Sequence, residues 1–131
     1  MNAVPAIDVI RTDASKVHAV LRTFFRIAES WGLDNEQART LLGAPSRAQF
    51  YRLKAGRVNS LSRDMLERIS YVLGIHKALR ILFPDSAQAD GWLMRPNRHP
   101  MFGGRPAMSR LLAGNVADLA DVRRYLDAQR G

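Results

Sequence analysis

The sequence predicts an all-α chain: an N-terminal helical bundle followed by a small helical C-terminal segment. Three observations carry this. Apolar residues recur three and four apart over long stretches, most clearly along Ser62–Phe83, so that one face of each stretch is apolar. Ser and Asp stand where such stretches open, and Gly and Pro where they close. Finally, 47% of the 131 residues are apolar, enough for one domain, or a small domain with an appendage, to build a core without staples.

Composition narrows the function classes. The absence of cysteine excludes disulfides, cysteine-bound zinc and thiol catalysis, and fits a reducing compartment. No apolar run approaches the ~18–20 residues of a membrane helix. Met1–Ala14 lacks the basic start of a secretion leader, so a soluble, unexported chain is expected. The net charge of +8 suits an anionic partner such as nucleic acid. That charge is uneven, with 13 bases against 7 acids in residues 1–80 and 7 against 5 in residues 81–131. Arginine-rich composition from a GC-rich genome is the bland alternative.

Met1–Ala14 shows no clean period and reads as a mobile arm, or as a segment that packs on a partner subunit. Ser15–Trp31 is an amphipathic helix with Val17, Val20, Leu21, Phe24, Ala28 and Trp31 on one face and Gly32 as its stop. His18, His76 and His99 lie far apart, without the paired spacing of a metal site. Asp34–Leu42 is a short helix capped by Asp34 and ended by Gly43. Ser46-Arg47-Ala48-Gln49 then has the capping-box pattern, opening a helix that ends at Gly56.

Ser62 caps the next helix, whose inward face is Met65, Leu66, Ile69, Val72 and Leu73. Five such side chains, at about 1.5–3 kcal/mol each, make a large part of a small core. Gly74 predicts a break, after which Ile75, Ala78, Leu79, Leu82 and Phe83 resume the period up to Pro84. Ser86–Leu93 has some helical character, and Arg95–Arg105 is loop by composition. Pro106 suits a helix start, Gly114-Asn115 a stop, and Val116, Leu119, Val122, Tyr125 and Leu126 a last amphipathic helix.

Helix, glycine turn, second helix is the spacing of a helix-turn-helix. Phe50 and Leu53 hold the second helix on the core, which turns Ala48, Tyr51 and Arg52 outward, with Arg47 at the N-terminal edge. That edge enters a major groove, where arginine reads guanine and glutamine reads adenine. The candidate DNA-binding residues are therefore Ser46, Arg47, Gln49, Tyr51 and Arg52, with Lys54 and Arg57 placed for phosphate. Ser46–Arg57 holds four bases and no acid, so a merely solvated basic helix is the competing reading. Phe102-Gly103-Gly104-Arg105 before a helix start has the form of an anion nest, but it lacks the Lys-Ser/Thr of a P-loop and so reads as a tight turn between two helices.

The first of these segments resembles the Xre-type (Cro/repressor-like) helix-turn-helix, with the turn Gly43–Ser46 one residue longer than the commonest form and Arg39 where a small residue is usual. Trp92–Gly131 resembles the toxin-binding C-terminal domain of Xre/MbcA/ParS-like antitoxins. The matching residues are Trp92-Leu93, Pro96-Asn97, Phe102-Gly103-Gly104-Arg105, Leu111-Leu112, Gly114, Leu119, Val122-Arg123, Tyr125-Leu126-Asp127 and Arg130-Gly131; Pro106-Ala107-Met108 departs from the family's usual arrangement. The likeness spans Ser15 to Gly131.

It implies an arm (residues 1–14), a DNA-binding unit (15–85) and a toxin-binding unit (86–131). The implied function is that of a type II antitoxin. It would neutralise a RES-domain, NAD-depleting toxin by direct binding and repress its own operon as a dimer or higher assembly, in the bacterial cytoplasm or on the nucleoid. By the same resemblance the toxin contact is Asn97, Phe102, Gly103, Gly104 and Arg105 of the loop with Arg123, Arg124, Asp127, Arg130 and Gly131 of the last helix. No cofactor, metal, membrane or catalytic residue is expected. The runner-up is a helix-turn-helix repressor without a toxin, whose tail only oligomerises; a small enzyme using the Gly103-Gly104 nest is a third reading.

Overall fold

Eight α-helices and one short 3-10 helix account for the regular structure among residues 6–131, the residues that the computed structural model describes. They are α1 (Ala6–Thr12), α2 (Ala14–Ser30), α3 (Asn35–Leu42), α4 (Arg47–Lys54), α5 (Arg63–Leu82), α6 (Ser86–Gly91), the 3-10 turn Trp92–Met94, α7 (Ala107–Leu111) and α8 (Val116–Gln129). The expected all-α class holds, with only one isolated bridge, between Pro96 and Pro106, among the described residues.

The N-terminal segment differs from expectation. Residues 1–5 lie outside the described residues, but Ala6–Thr12 is helical and seats half-buried Ile7 and Ile10 against the core. Leu61 N–H donates to Arg11 C=O at 2.9 Å, so this helix is also tied to the strap that precedes α5. The next helix starts at Ala14, because Asp13 accepts the Lys16 amide and acts as its cap. His18 donates from Nε2 to the Val58 carbonyl at 2.8 Å, a structural role that ties α2 to the same strap.

α5 is the scaffold. It touches α1, α2, α3 and α6, and its longest contact is with α8. Ser62 caps it as expected, accepting from the Met65 amide. The expected break at Gly74 is absent, and α5 runs unbroken from Arg63 to Leu82. A mid-helix glycine costs about 1 kcal/mol relative to alanine, and its reason lies in a neighbouring helix. A Cβ at Gly74 would lie 1.4 Å from Nη1 of Arg123, whose guanidinium from α8 occupies that space.

One continuous core results. Phe24, Phe50, Leu41, Leu42 and Leu53 from the N-terminal helices and Leu93, Leu111, Leu119 and Leu126 from the C-terminal ones share a single buried cluster with α5 residues such as Ile69, Ile75 and Leu79. Gly114, at the turn before α8, comes close to Thr40 of α3, where an added Cβ would lie 3.7 Å from its methyl. The C-terminal unit thus leans directly on the helix-turn-helix.

Candidate functional sites: a cationic helix edge and an aromatic-braced tail

The first site is built by two short helices and the turn between them. Asp34 caps α3 with a complete capping box: its carboxylate accepts the Gln37 amide at 2.8 Å, and the Gln37 side chain accepts the Asp34 amide at 2.9 Å. Gly43 ends α3 in the left-handed region at φ 69°, where a side chain would be strained. A Cβ there would also lie 2.7 Å from Arg68 Nε of α5, so the turn is pressed onto the scaffold. Ser46 then caps α4 through the Gln49 amide at 3.1 Å. The reciprocal Gln49 bond expected of a capping box there is not made, and the half-buried Gln49 side chain is not spent on the cap.

Phe50 and Leu53 are buried, which turns the opposite face of α4 to solvent. Ser46, Arg47, Arg52, Lys54 and Arg57 are exposed, and Tyr51 is 53% exposed with its ring edge-on to Phe50. The cations differ in their partners. Arg47 donates from Nε to Glu36 at 2.8 Å, and Lys54 donates to the Asn35 side-chain carbonyl at 2.8 Å. Arg52 and Arg57 meet no carboxylate among the described residues, nor do exposed Arg22 and Arg26 on α2. Glu36 itself is held below the usual carboxylate range, chiefly by the hydrogen bond from Arg39 and further by Arg47. Glu36 and Asn35, the partners of Arg47 and Lys54, are residues of this edge that the sequence reading passed over; the signal for Glu36 was its spacing of three from Arg39.

The second site is a loop strapped to α8. The bridge between Pro96 and Pro106 closes it, with Asn97 N–H donating to Arg105 C=O at 3.2 Å and Gly104 N–H to Asn97 C=O at 2.8 Å. Gly103 N–H donates to His99 C=O and Arg105 N–H to Phe102 C=O. The amides of the Gly103-Gly104 stretch are therefore spent inside the loop, as the tight-turn reading of this segment expects and the anion nest does not.

Phe102 is corrected: at 6% exposure it is an anchor inside the fold, not a surface contact. It meets Tyr125 edge-on at 5.4 Å and Trp92 at 6.1 Å, while Tyr125 stacks on Trp92 and takes the His99 ring against it at 4.8 Å. His99 and Tyr125 fall within the loop and the last helix expected to make the contact, but their packing on Trp92 and Phe102 is brought about only by folding. Arg110 completes the brace, donating to Met101 C=O at 3.1 Å and to Asp121 at 2.7 Å.

Of the other expected tail residues, Gly103, Gly104, Arg105, Arg124, Arg130 and Gly131 are exposed, and Asn97, Arg123 and Asp127 are half-buried. Asp127 holds Arg123 at 2.9 Å and Arg130 at 3.5 Å, and Arg124 pairs with Asp121. The hydrogen bond from Arg124 also keeps the Asp121 carboxyl below its ordinary range. The arginines of α8 are thus neutralised, whereas exposed Arg98 and Arg105 on the loop have no carboxylate partner among the described residues. The expected contact counted Arg105 together with Arg123, Arg124 and Arg130; in the structure the last three are ion-paired and Arg105 is not.

A helix-turn-helix edge and a braced loop and helix give the chain the form of a binding protein with two exposed surfaces. Residues 8–74 match the antitoxin Xre-like helix-turn-helix domain, and residues 78–131 match the antitoxin Xre/MbcA/ParS C-terminal toxin-binding domain. The chain belongs to the Xre-like antitoxins. It is 46% identical over 121 residues to the protein named "Uncharacterized protein y4oB" of Sinorhizobium fredii, covering 92% of this chain and 91% of that one. No solved structure matches the chain. Both matched domains are binding modules, so the chain is not an enzyme, and the tail belongs to a toxin-binding domain and not to a mere oligomerisation element. No described helix is long and apolar enough to cross a membrane.

Proposed function

We propose that this antitoxin neutralises a RES-domain, NAD-depleting toxin by covering it with the tail surface, and that it represses its own operon through α4. The observation that carries the reading is the display of both surfaces on one core: exposed Tyr51, Arg52 and Arg57 on the helix-turn-helix, and the exposed loop and chain end on the opposite unit. Arg47, Arg52 and Gln49 read base edges, with Ser46 and Tyr51 beside them, and Lys54 and Arg57 hold phosphate. On the tail, Asn97, Gly103, Gly104 and Arg105 meet the toxin together with Arg123, Arg124, Asp127, Arg130 and Gly131. Occupying the mouth of the toxin's active site inhibits it without any chemistry from the antitoxin. Two-fold DNA sites call for a homodimer or a higher toxin–antitoxin assembly in the bacterial cytoplasm.

Separation of function tests this. The chain is co-expressed with a RES-domain toxin, sought in the neighbouring reading frame, and a reporter is driven by the DNA upstream of its own reading frame. Arg52→Ala should cost ~1–3 kcal/mol of operator affinity and release the reporter, yet still rescue growth. The double charge reversal Arg98→Glu/Arg105→Glu should do the opposite. If Arg52→Ala and Lys54→Ala both leave repression intact, α4 is not the reading helix. Failure of the wild-type chain to rescue growth would overturn the toxin assignment.

A further inference from the structure

Resting on the reading that α4 binds DNA, we propose that Glu36 is a positioning residue for base recognition: its carboxylate, shared between Arg39 and Arg47, fixes the Arg47 guanidinium for one guanine.

One carboxylate oxygen accepts from Arg47 Nε at 2.8 Å, and the other accepts from Arg39 Nη2 at 2.9 Å and Nε at 3.2 Å. Arg39 also reaches back to the Ala44 carbonyl at 3.4 Å, so Glu36 is fastened to the helix-turn-helix turn and not left on a free side chain. Bonding through Nε spends one donor of Arg47. Its terminal pair of NH2 groups remains, and that pair is the edge that matches O6 and N7 of guanine. Arg47 is the first residue of α4, and 74% of its side chain is exposed. Without a partner it would sample many rotamers and lose that freedom on binding.

Stability does not explain the pair. Both side chains are largely in water, where an ion pair contributes little. Nor does affinity explain it, since a carboxylate beside a DNA-facing edge repels phosphate. The hydrogen bond from Arg39, and then that from Arg47, holds the Glu36 carboxyl below its ordinary range. A charge that contributes little to folding and opposes backbone binding makes sense as an orienting device. Once DNA excludes water from the site, the same pair strengthens.

The test uses the full chain and a pool of randomised duplexes, with wild type, Glu36→Gln, Glu36→Ala, Arg47→Ala and Glu36→Gln/Arg47→Ala selected side by side. Wild type should select a guanine at one position of each half-site, and Arg47→Ala should lose it. Each Glu36 variant should lose at least about 5-fold of that discrimination. Affinity for non-selected duplex at low salt should hold or rise by roughly 2-fold, because a like charge has gone. With Arg47 already removed, Glu36→Gln should change discrimination no further. The proposal is overturned if Glu36→Gln keeps the guanine preference, or if it weakens every position equally, as a general loss of fold would. A wild-type chain that selects no sequence at all would instead remove the DNA reading underneath.

Discussion

His76 shows how one side chain makes this fold sensitive to acid. It lies half-buried on α5 with its ring 6.4 Å from that of Trp31. Burial lowers its pKa below the ordinary value of 6.5, and the Arg80 cation adds to this while Asp90 opposes it. The folded protein therefore holds a neutral imidazole where the unfolded chain would already take up a proton. Its contribution to stability is complete above pH 6.5 and is lost as pH falls from there through the lowered folded value. Thermal unfolding followed between pH 7.5 and 5 should show Tm falling on the acid side, and His76→Gln should flatten that slope. An unchanged slope in the variant would show that other groups set it. Other single-residue roles were plain in the sequence where they depended on local spacing, as for the caps Asp34 and Ser62. They were hidden where a distant partner decides them. Arg110 looks like any helix-surface arginine until α7, the loop and α8 converge on it.

At the scale of elements, the periodic helices were legible because burial of one face is written into the chain at intervals of three and four. Gly74 was misread for an equally physical reason: its cause is not local. The glycine leaves room for Arg123, which lies across α5 while paired to Asp127. A double-mutant cycle separates the two terms. In an Arg123→Ala background the guanidinium no longer fills the space of a methyl, so Gly74→Ala should stabilise by about 0.5–1 kcal/mol through helix propensity. In the wild-type background the same substitution must displace the guanidinium, and the gain should shrink or reverse. Denaturant midpoints of the four proteins measure this directly. Equal effects in both backgrounds would mean that Arg123 does not sit on α5 in solution. The tail loop was half-legible in the same sense: its Gly and Pro content marked a turn, but the Trp92–Tyr125–Phe102 cluster that stiffens it joins three separate segments.

For the whole molecule, the consequence of one shared core is that the two functions cannot be cut apart with scissors. Two units in succession, and Ser62–Phe83 as the spine that both lean on, were predictable from periodicity and motif order; that α8 makes the most extensive contact with this spine was not, because helix–helix packing leaves no local mark. Leu126 and Val122 of α8 are fully buried against that core, and Tyr125 braces the loop. Deleting Arg123–Gly131 therefore removes Leu126 along with the candidate contacts of α8 and the chain end. Loss of a buried leucine alone costs about 2–5 kcal/mol, a large share of the 5–15 kcal/mol typical of a domain. The long deletion should thus lower Tm steeply and abolish DNA binding as well as toxin binding, although no DNA-facing residue has been touched. Removing only Arg130 and Gly131, both exposed at the chain end, should leave Tm and DNA affinity unchanged and weaken only the toxin complex. Paired measurements of Tm, operator affinity and toxin association on the two truncations decide between a fused body and independent units. If the long deletion binds operator as tightly as the full chain, the helix-turn-helix folds without α8 and the shared core is not needed for it.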